Sequence, residues 1–283
     1  MRSEAKKATL LGIFGNMLLF ILKVIVGFSY NSIAVISDAF NSLTDIVASV
    51  IVYISVKVSS KKADKGHPFG HHRAEPIAGL IVAIFTGILG FEVIKIAFTR
   101  LLTGEKPVIS LVPVFVMGFT LLLKLFMYIY TKNVGKKIKS TAILASSVDH
   151  RNDVLISIAV LVGVSGAYFG YEFLDPLVAL VIGLWIIKAG YGIGKDNIGF
   201  LIGVAPSDEL MNLVKKIALS VKGVNGIHDV RAHYVGVLLQ IEVHISVNKN
   251  MVISKAHSIG KNVSEALEKL EDVDRAFVHI DPV

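Results

Sequence analysis

The chain has 283 residues, of which 53% are hydrophobic and 18% are charged, and its formal net charge is +7. Soluble domains carry about 25% charged residues, so this composition favours a membrane protein. The absence of cysteine excludes disulfides and thiolate metal sites, including those suited to copper(I). The positive charge does not predict nucleic-acid binding, because the basic residues lie mostly beside the ends of long apolar segments.

Six apolar segments are long enough to cross a bilayer, which requires about 20 residues. We predict spanning helices over residues 8–28, 33–58, 74–98, 109–130, 142–169 and 174–194. The first segment is too long for the apolar part of a cleavable signal and has no small-residue cleavage site. The pattern predicts an all-α bundle of six transmembrane helices in a first domain, residues 1–202.

Basic residues are concentrated on one side of this predicted bundle. The opposite side has only Arg100 and Lys106. The basic side has Arg2, Lys6, Lys7, Lys57, Lys61, Lys62, Lys65, Arg73, Lys132, Lys136, Lys137, Lys139 and Lys195. Because cytoplasmic loops carry the excess of Lys and Arg, we predict a multi-pass protein of the cell membrane with both termini in the cytoplasm.

The pattern changes to that of a soluble domain after Pro206. Ser207 is the predicted N-cap of a helix that ends near Val221, and a second helix is predicted over residues 254–270. Strands are predicted over residues 227–234, 237–247 and 273–280, with a turn at Gly236. This α-β-β-α-β order predicts a second domain, residues 203–283, which is a cytoplasmic α+β domain of ferredoxin-like, two-layer type.

Polar residues recur one helical turn apart in two of the predicted spanning helices. Asn41 and Asp45 share a face of the second helix, and Asp149 and Asp153 share a face of the fifth. At 1.5 Å per residue, these positions lie about 14–21 Å from the helix entries, near the middle of a hydrocarbon core about 30 Å thick. Three carboxylates at one depth repel each other unless a cation or protons neutralise them, and a divalent metal ion does so directly.

These acidic residues are also compatible with two roles that require no metal ion. The carboxylates can form ion pairs with lysines of the predicted helices, namely Lys23, Lys95 or Lys124, or they can line a water-filled vestibule. Asp38 lies on the face of Asp45 and is compatible either with ligand access or with simple helix packing.

Two further groups of potential metal ligands lie outside the predicted spanning helices. The first is a loop rich in glycine and proline that contains Asp64, His67 and His71. The second lies near strand ends and a helix start of the soluble domain, and consists of His228, His244, His257, His279 and Asp281. Imidazole with carboxylate suits zinc and related metals. The alternative for both groups is a set of ordinary exposed side chains.

Together these motifs resemble the cation diffusion facilitator family. The resemblance rests on residues 31–45 (NSIAVISDAFNSLTD), 67–71 (HPFGH), 149–153 (DHRND) and 278–282 (VHIDP), and it extends over nearly the whole chain. It implies a six-helix homodimer, without a prosthetic group, that exports divalent metal ions from the cytoplasm in exchange for protons. Carried over by position, it implies a transport site (Asn41, Asp45, Asp149, Asp153), a loop site (Asp64, His67, His71) and a cytoplasmic site that tightens the dimer (His228, His244, His257, His279, Asp281).

The resemblance leaves the identity of the metal open. Zinc transporters of this family usually place a histidine in the membrane site, whereas this chain has Asn41 and Asp149 there, and His150 is displaced by one residue, about 100° around the helix. An all-oxygen site suits a harder ion such as Mn²⁺ and resembles the manganese-exporting branch. The histidines of the soluble domain favour Zn²⁺ instead, and Fe²⁺, Co²⁺ and Cd²⁺ are further expected ions.

Two different functions are compatible with parts of the sequence. A membrane-anchored metal sensor without transport would use the histidine-rich domain but would not need the acidic residues at mid-membrane. An intramembrane metal hydrolase is disfavoured, because the sequence has no HExxH motif and no serine or thiol nucleophile motif. We therefore predict a transporter that is not an enzyme.

Overall fold

The first 202 residues form long helices in the computed structural model, which describes residues 2–59, 61, 63–138, 141–236, 238–270 and 273–283. The helices are α1 (Arg2–Ser29), α2 (Ile33–Ser59), α3 (Ala74–Thr103), α4 (Leu111–Ile138), α5 (Thr141–Tyr168) and α6 (Leu174–Ile202). Within the described residues, these six helices are long and apolar enough to cross a membrane, which confirms the predicted spans. Helices α3, α4 and α6 continue beyond their predicted ends at residues 98, 130 and 194.

The described chain forms two compact units. One contains the residues up to 50 together with 82–192, and the other contains residues 51–81 and 193–283. The predicted domains, 1–202 and 203–283, are defined along the sequence and stay a prediction.

In the first unit, α4 packs along α5, and α1 contacts both helices. Buried side chains such as Ala34, Met117 and Val160 form an apolar core. Gly90 of α3 and Gly183 of α6 allow a close approach of two backbones, since a Cβ on Gly183 would lie 3.2 Å from the Gly90 carbonyl oxygen. Small residues at helix contacts are typical of membrane bundles, where neighbouring backbones approach closely.

Side chains from α3 and α6 fix the start of α2, the helix that carries Asn41 and Asp45. The carboxylate of Asp175, in the first turn of α6, accepts hydrogen bonds from the Ser32 hydroxyl at 2.5 Å and from the Ile33 N–H at 2.8 Å. Arg100 of α3 donates to the Asn31 carbonyl at 2.6 Å. The Ile33 N–H is one of the donors that a helix start leaves without a partner within the helix.

The second unit contains a three-stranded sheet. Its further elements are α7 (Asp208–Ser220), β1 (Gly226–Val235), β2 (Leu238–Val247), α8 (Ile253–Leu267) and β3 (Val273–Pro282). Ser207 caps α7 as predicted, because its hydroxyl accepts a hydrogen bond from the Leu210 N–H at 3.3 Å. The strand order is β1-β2-β3, with β1 antiparallel and β3 parallel to β2. The predicted α-β-β-α-β order and the α+β class are confirmed.

The central strand β2 shows why histidines remain accessible on this sheet. Its alternate residues Ile241, Val243 and Ile245 are buried in a core that includes Val263 of α8. The intervening positions, including His244, point to the other face, because successive side chains of a strand alternate. The sheet therefore offers one apolar face to its helices and one polar face for ligand residues.

Candidate metal sites

Asn41 of α2 and Asp153 of α5 meet inside the first unit. The Asn41 side-chain amide donates to Asp153 Oδ1 at 3.3 Å. Asp45, one turn further along α2, interacts electrostatically with Asp153 and with Asp149. Asp153 is buried, Asn41 and Asp45 are half-buried, and Asp149 is exposed. The structure therefore gathers Asn41 and Asp45 around Asp153 and places Asp149 at the edge of the group.

Two buried lysines also contact acidic residues of these helices. Lys124 Nζ of α4 lies 2.5 Å from Asp153 Oδ2, and Lys23 Nζ of α1 lies 2.8 Å from Asp38 Oδ2. Both lysines are 1% exposed. Asp153 and Asp38 therefore form the ion pairs with lysines that the sequence offered as an alternative to metal binding. Lys95, the third lysine considered, pairs instead with a glutamate of its own helix. Because Asp38 is tied to Lys23, the structure favours helix packing over ligand access for this residue.

His150 lies closer to the acidic group than its sequence position relative to Asp149 indicated. It is 4% exposed, and its Nδ1 lies 3.9 Å from Asp153 Oδ2. Within the described part of the chain, neither ring nitrogen has a hydrogen-bond partner. His150 is turned about 100° from Asp149 around the helix, but the i,i+3 spacing to Asp153 puts those two side chains on one face. This i,i+3 spacing could have identified His150 from the sequence. The imidazole of His150 adds nitrogen ligand atoms to a group that we expected to contain only oxygen ligands.

The loop residues Asp64, His67 and His71 form a compact group. Asp64 Oδ1 accepts hydrogen bonds from the backbone N–H of His67 at 2.7 Å and of Gly66 at 2.9 Å. Its oxygens lie 3.5 Å from His67 Nδ1 and 3.5 Å from His71 Nε2. The bond from the His67 N–H, with that from Gly66, holds the pKa of the Asp64 carboxyl below its ordinary value of 3.8. The loop thus presents an ionised carboxylate beside two imidazoles.

Substitution of Asp64 separates its structural contribution from metal binding. The ionised carboxylate stabilises the turn above pH 3.8, and this is lost only as the pH falls through the lowered pKa. Asp64→Asn keeps an acceptor for the two N–H groups but removes the charge. We expect it to preserve the turn and to weaken Zn²⁺ binding at the loop by at least about 10–100-fold, the range that loss of an outer partner of a metal ligand already costs. Asp64→Ala should lose both the turn and the metal.

Zinc titration in a His244→Ala background, together with hydrogen exchange of the Gly66 and His67 amides, measures the two effects. Unchanged Zn²⁺ affinity in Asp64→Asn would remove Asp64 from the loop site.

In the second unit, three histidines of the sheet surround one carboxylate. Asp281 Oδ2 lies 3.0 Å from His228 Nε2 and 3.6 Å from His244 Nδ1, and its Oδ1 lies 3.4 Å from His279 Nε2. The parallel register pairs His244 with His279 directly, so their rings are 4.6 Å apart between centroids. His257 is exposed on α8 and lies outside this group as far as the described residues extend.

These clusters differ in how closely their ligand atoms approach. Within the described ranges, His, Asp or Glu ligand atoms lie within 4.8 Å of one another in two groups, the loop triad and the trio of His228, His244 and Asp281. The membrane carboxylates do not form such a group. Lys124 instead occupies one oxygen of Asp153.

Comparison with known proteins matches both parts of the chain. A family model described as "Cation efflux transmembrane domain" matches residues 9–202, and one described as "Cation efflux protein, cytoplasmic domain" matches residues 206–283. An uncharacterized transporter of Methanocaldococcus jannaschii is 38% identical over 280 residues, which are 99% of each chain. The manganese efflux system protein MneS of Bacillus subtilis is 29% identical over 99% of this chain and 96% of its own.

Among solved structures, the C-terminal domain of MamM in a cadmium form is 27% identical, with a TM-score of 0.26, and covers 27% of this chain and 96% of that domain. The chain is a multi-pass membrane protein of a transporter family. This conclusion rests on the six apolar helices and on the two matched domains, and the polar group around Asp153 is consistent with it. The chain belongs to the cation efflux family, also called the cation diffusion facilitators.

Proposed function

We propose that the chain exports a divalent transition-metal ion from the cytoplasm in exchange for protons, with Mn²⁺ as the main cargo. Asn41, Asp45, Asp149 and Asp153 are the proposed transport site. The observation that carries this proposal is the hydrogen bond between Asn41 and Asp153, which joins α2 and α5 at a carboxylate that also interacts with Asp45. Carboxylates and an amide oxygen suit Mn²⁺.

The names of two relatives support manganese. MneS and MneP of Bacillus subtilis are both called manganese efflux system proteins, and they are 29% and 27% identical to this chain. The nitrogen donors of the buried His150 ring broaden the group toward Zn²⁺, Fe²⁺, Co²⁺ and Cd²⁺, because imidazole binds these ions well. We therefore expect the site to transport several of these ions, with Mn²⁺ as the preferred cargo.

The transport cycle follows from the chemistry of the carboxylates. A metal ion from the cytoplasm loses most of its water and binds Asp45, Asp149 and Asp153, with the Asn41 carbonyl as a neutral ligand. Ligands must be deprotonated to bind a metal, so binding expels protons. When the helices move to open the opposite side, protons compete for the carboxylates and the metal leaves.

The sites outside the membrane helices have supporting roles in this proposal. Both termini lie in the cytoplasm, where Asp64, His67 and His71 collect metal ions for entry. Metal at His228, His244, His279 and Asp281, with His257 as a further predicted ligand, stabilises a homodimer of the soluble domains. This metal regulates transport only if it binds two states of the transporter with different affinity.

A metal sensor without transport is the second candidate. It is favoured by one observation: the closely spaced ligand groups lie in the loop and the soluble domain, whereas Asp153 is ion-paired with Lys124. Such a protein would bind metal outside the membrane and would conduct none.

Flux measurements distinguish the two functions. The purified full-length chain is reconstituted into vesicles, and uptake of Mn²⁺ is followed together with internal pH, in competition with Zn²⁺, Fe²⁺ and Co²⁺. We expect saturable Mn²⁺ uptake with an opposite proton flux. Metal binding without flux of any ion would favour the sensor.

A further inference from the structure

Lys124 is an unusual residue for its position in the membrane part of the chain. It lies near the middle of α4, which spans Leu111–Ile138, and within the predicted apolar span 109–130. It is 1% exposed. A charged group at this depth is costly and usually marks function. Its ammonium has two partners, Asp153 Oδ2 at 2.5 Å and Asn16 Oδ1 of α1 at 2.7 Å.

Lys124 and Asn41 each donate to one oxygen of the carboxylate that is central to the proposed transport site. Asp153 Oδ1 accepts the hydrogen bond from Asn41, and Oδ2 accepts the one from Lys124. Each oxygen has a further lone pair, so a metal ion can approach Asp153, but it must bind beside the Lys124 ammonium. The Asn41 side chain can turn its carbonyl toward the metal, but an ammonium has no acceptor atom and repels any cation beside it.

We propose that Lys124 is a tethered competitor of the metal ion at Asp153. Its ammonium neutralises the carboxylate until a divalent ion displaces it, and it returns to the carboxylate when the ion leaves. This inference rests on the proposed transport function, because it assigns Lys124 a role at the same carboxylate.

Asn16 makes such an exchange feasible within the bundle. A displaced ammonium that lost every partner would be a buried, unpaired charge, which is strongly unfavourable. The Asn16 side-chain oxygen at 2.7 Å keeps one hydrogen bond with Lys124 when Asp153 turns to the metal. The competition also favours divalent over monovalent cations, because an ion of single charge gains no electrostatic advantage over the ammonium that it replaces.

Substitutions of Lys124 give opposite changes in metal affinity. Lys124→Gln removes the competing charge and retains polar atoms for Asp153 and Asn16, so we expect it to bind Mn²⁺ about 10–100-fold more tightly and to release it more slowly during transport. Lys124→Arg provides a guanidinium that can hold a carboxylate by two hydrogen bonds, so we expect Mn²⁺ binding about 10-fold weaker than in the wild type.

A matched control is Lys95→Gln, which removes a lysine of α3 that is exposed and paired with Glu92 at 3.4 Å. Its Mn²⁺ affinity should equal that of the wild type. Calorimetric Mn²⁺ titration of the full-length protein in detergent, in a His71→Ala and His244→Ala background that weakens the other two clusters, measures all three variants. Asp45→Asn in the same background identifies the heat that belongs to the membrane site.

A tighter site in Lys124→Gln supports the proposal, since a residue with only a structural role would not improve binding when removed. A folded Lys124→Gln protein with unchanged or weaker affinity overturns it. If that variant does not fold, the Arg variant decides, because an affinity equal to or above that of the wild type contradicts competition. Mn²⁺ binding that Asp45→Asn leaves unchanged, with no flux in the wild type, would instead refute the proposed transport function.

Discussion

Replacing Asp45 by asparagine is expected to reduce Mn²⁺ efflux by roughly 100-fold or more. Even the outer partners of metal ligands contribute about 10–100-fold to affinity or activity, so loss of a proposed ligand should reach or exceed that range. Asparagine has nearly the shape of aspartate but lacks the charge that neutralises a dication. Asp45 is a better target than Asp153, because removing Asp153 would leave the buried Lys124 ammonium without its carboxylate.

The matched control for Asp45→Asn is Glu92→Gln, another neutralised acid on a long membrane helix. Glu92 is half-buried on α3, with its side chain 45% exposed, and among the described charged residues it contacts only Lys95. We expect wild-type flux from this variant in the same vesicles, at equal amounts of reconstituted protein. Wild-type flux from a folded Asp45→Asn protein would exclude Asp45 from the transport site.

The local patterns of the sequence were sufficient to predict the elements of the fold. An apolar segment of about 20 residues requires a helix in lipid, because no water is present to satisfy its backbone groups. In the soluble part, the turn at Gly236 and the alternation of apolar residues along β2 determined the strands. Helix ends were less well predicted, since α4 and α6 extend through polar residues that hydropathy does not register.

Contacts between distant residues were only partly predictable. The i,i+4 spacing and the helix depth placed Asn41 near Asp153, but the sequence could not choose Lys124 from three lysines, because that pairing depends on the packing of α4 against α5. Similarly, His244 and His279 are adjacent only through the parallel pairing of β2 with β3. His150 was the residue that local spacing could have identified.

Zn²⁺ at about 100 times its dissociation constant is expected to slow hydrogen exchange of the β2 and β3 amides by roughly 100-fold. This applies to amides that exchange only when the domain unfolds. A ligand at 100 times its dissociation constant stabilises the folded state by about 2.7 kcal/mol, which reduces the unfolded fraction by that factor. Asp281 lies within 3.0–3.6 Å of three histidine rings, so its carboxylate is the common partner of the group. Asp281→Asn should therefore lose most of the protection. Mass spectrometry of the full-length chain, with and without Zn²⁺, measures it.

Two histidine variants complete this test. His233→Ala removes an exposed histidine of β1 outside the cluster and should leave the Zn²⁺ effect intact. His257→Ala tests the predicted fifth ligand: within one chain His257 lies apart from the cluster, so loss of protection in this variant would mean that it reaches the ion from a second copy of the chain. Equal protection in Asp281→Asn and wild type would contradict a metal site at this carboxylate, because Zn²⁺ can stabilise these strands specifically only through ligands that they contribute.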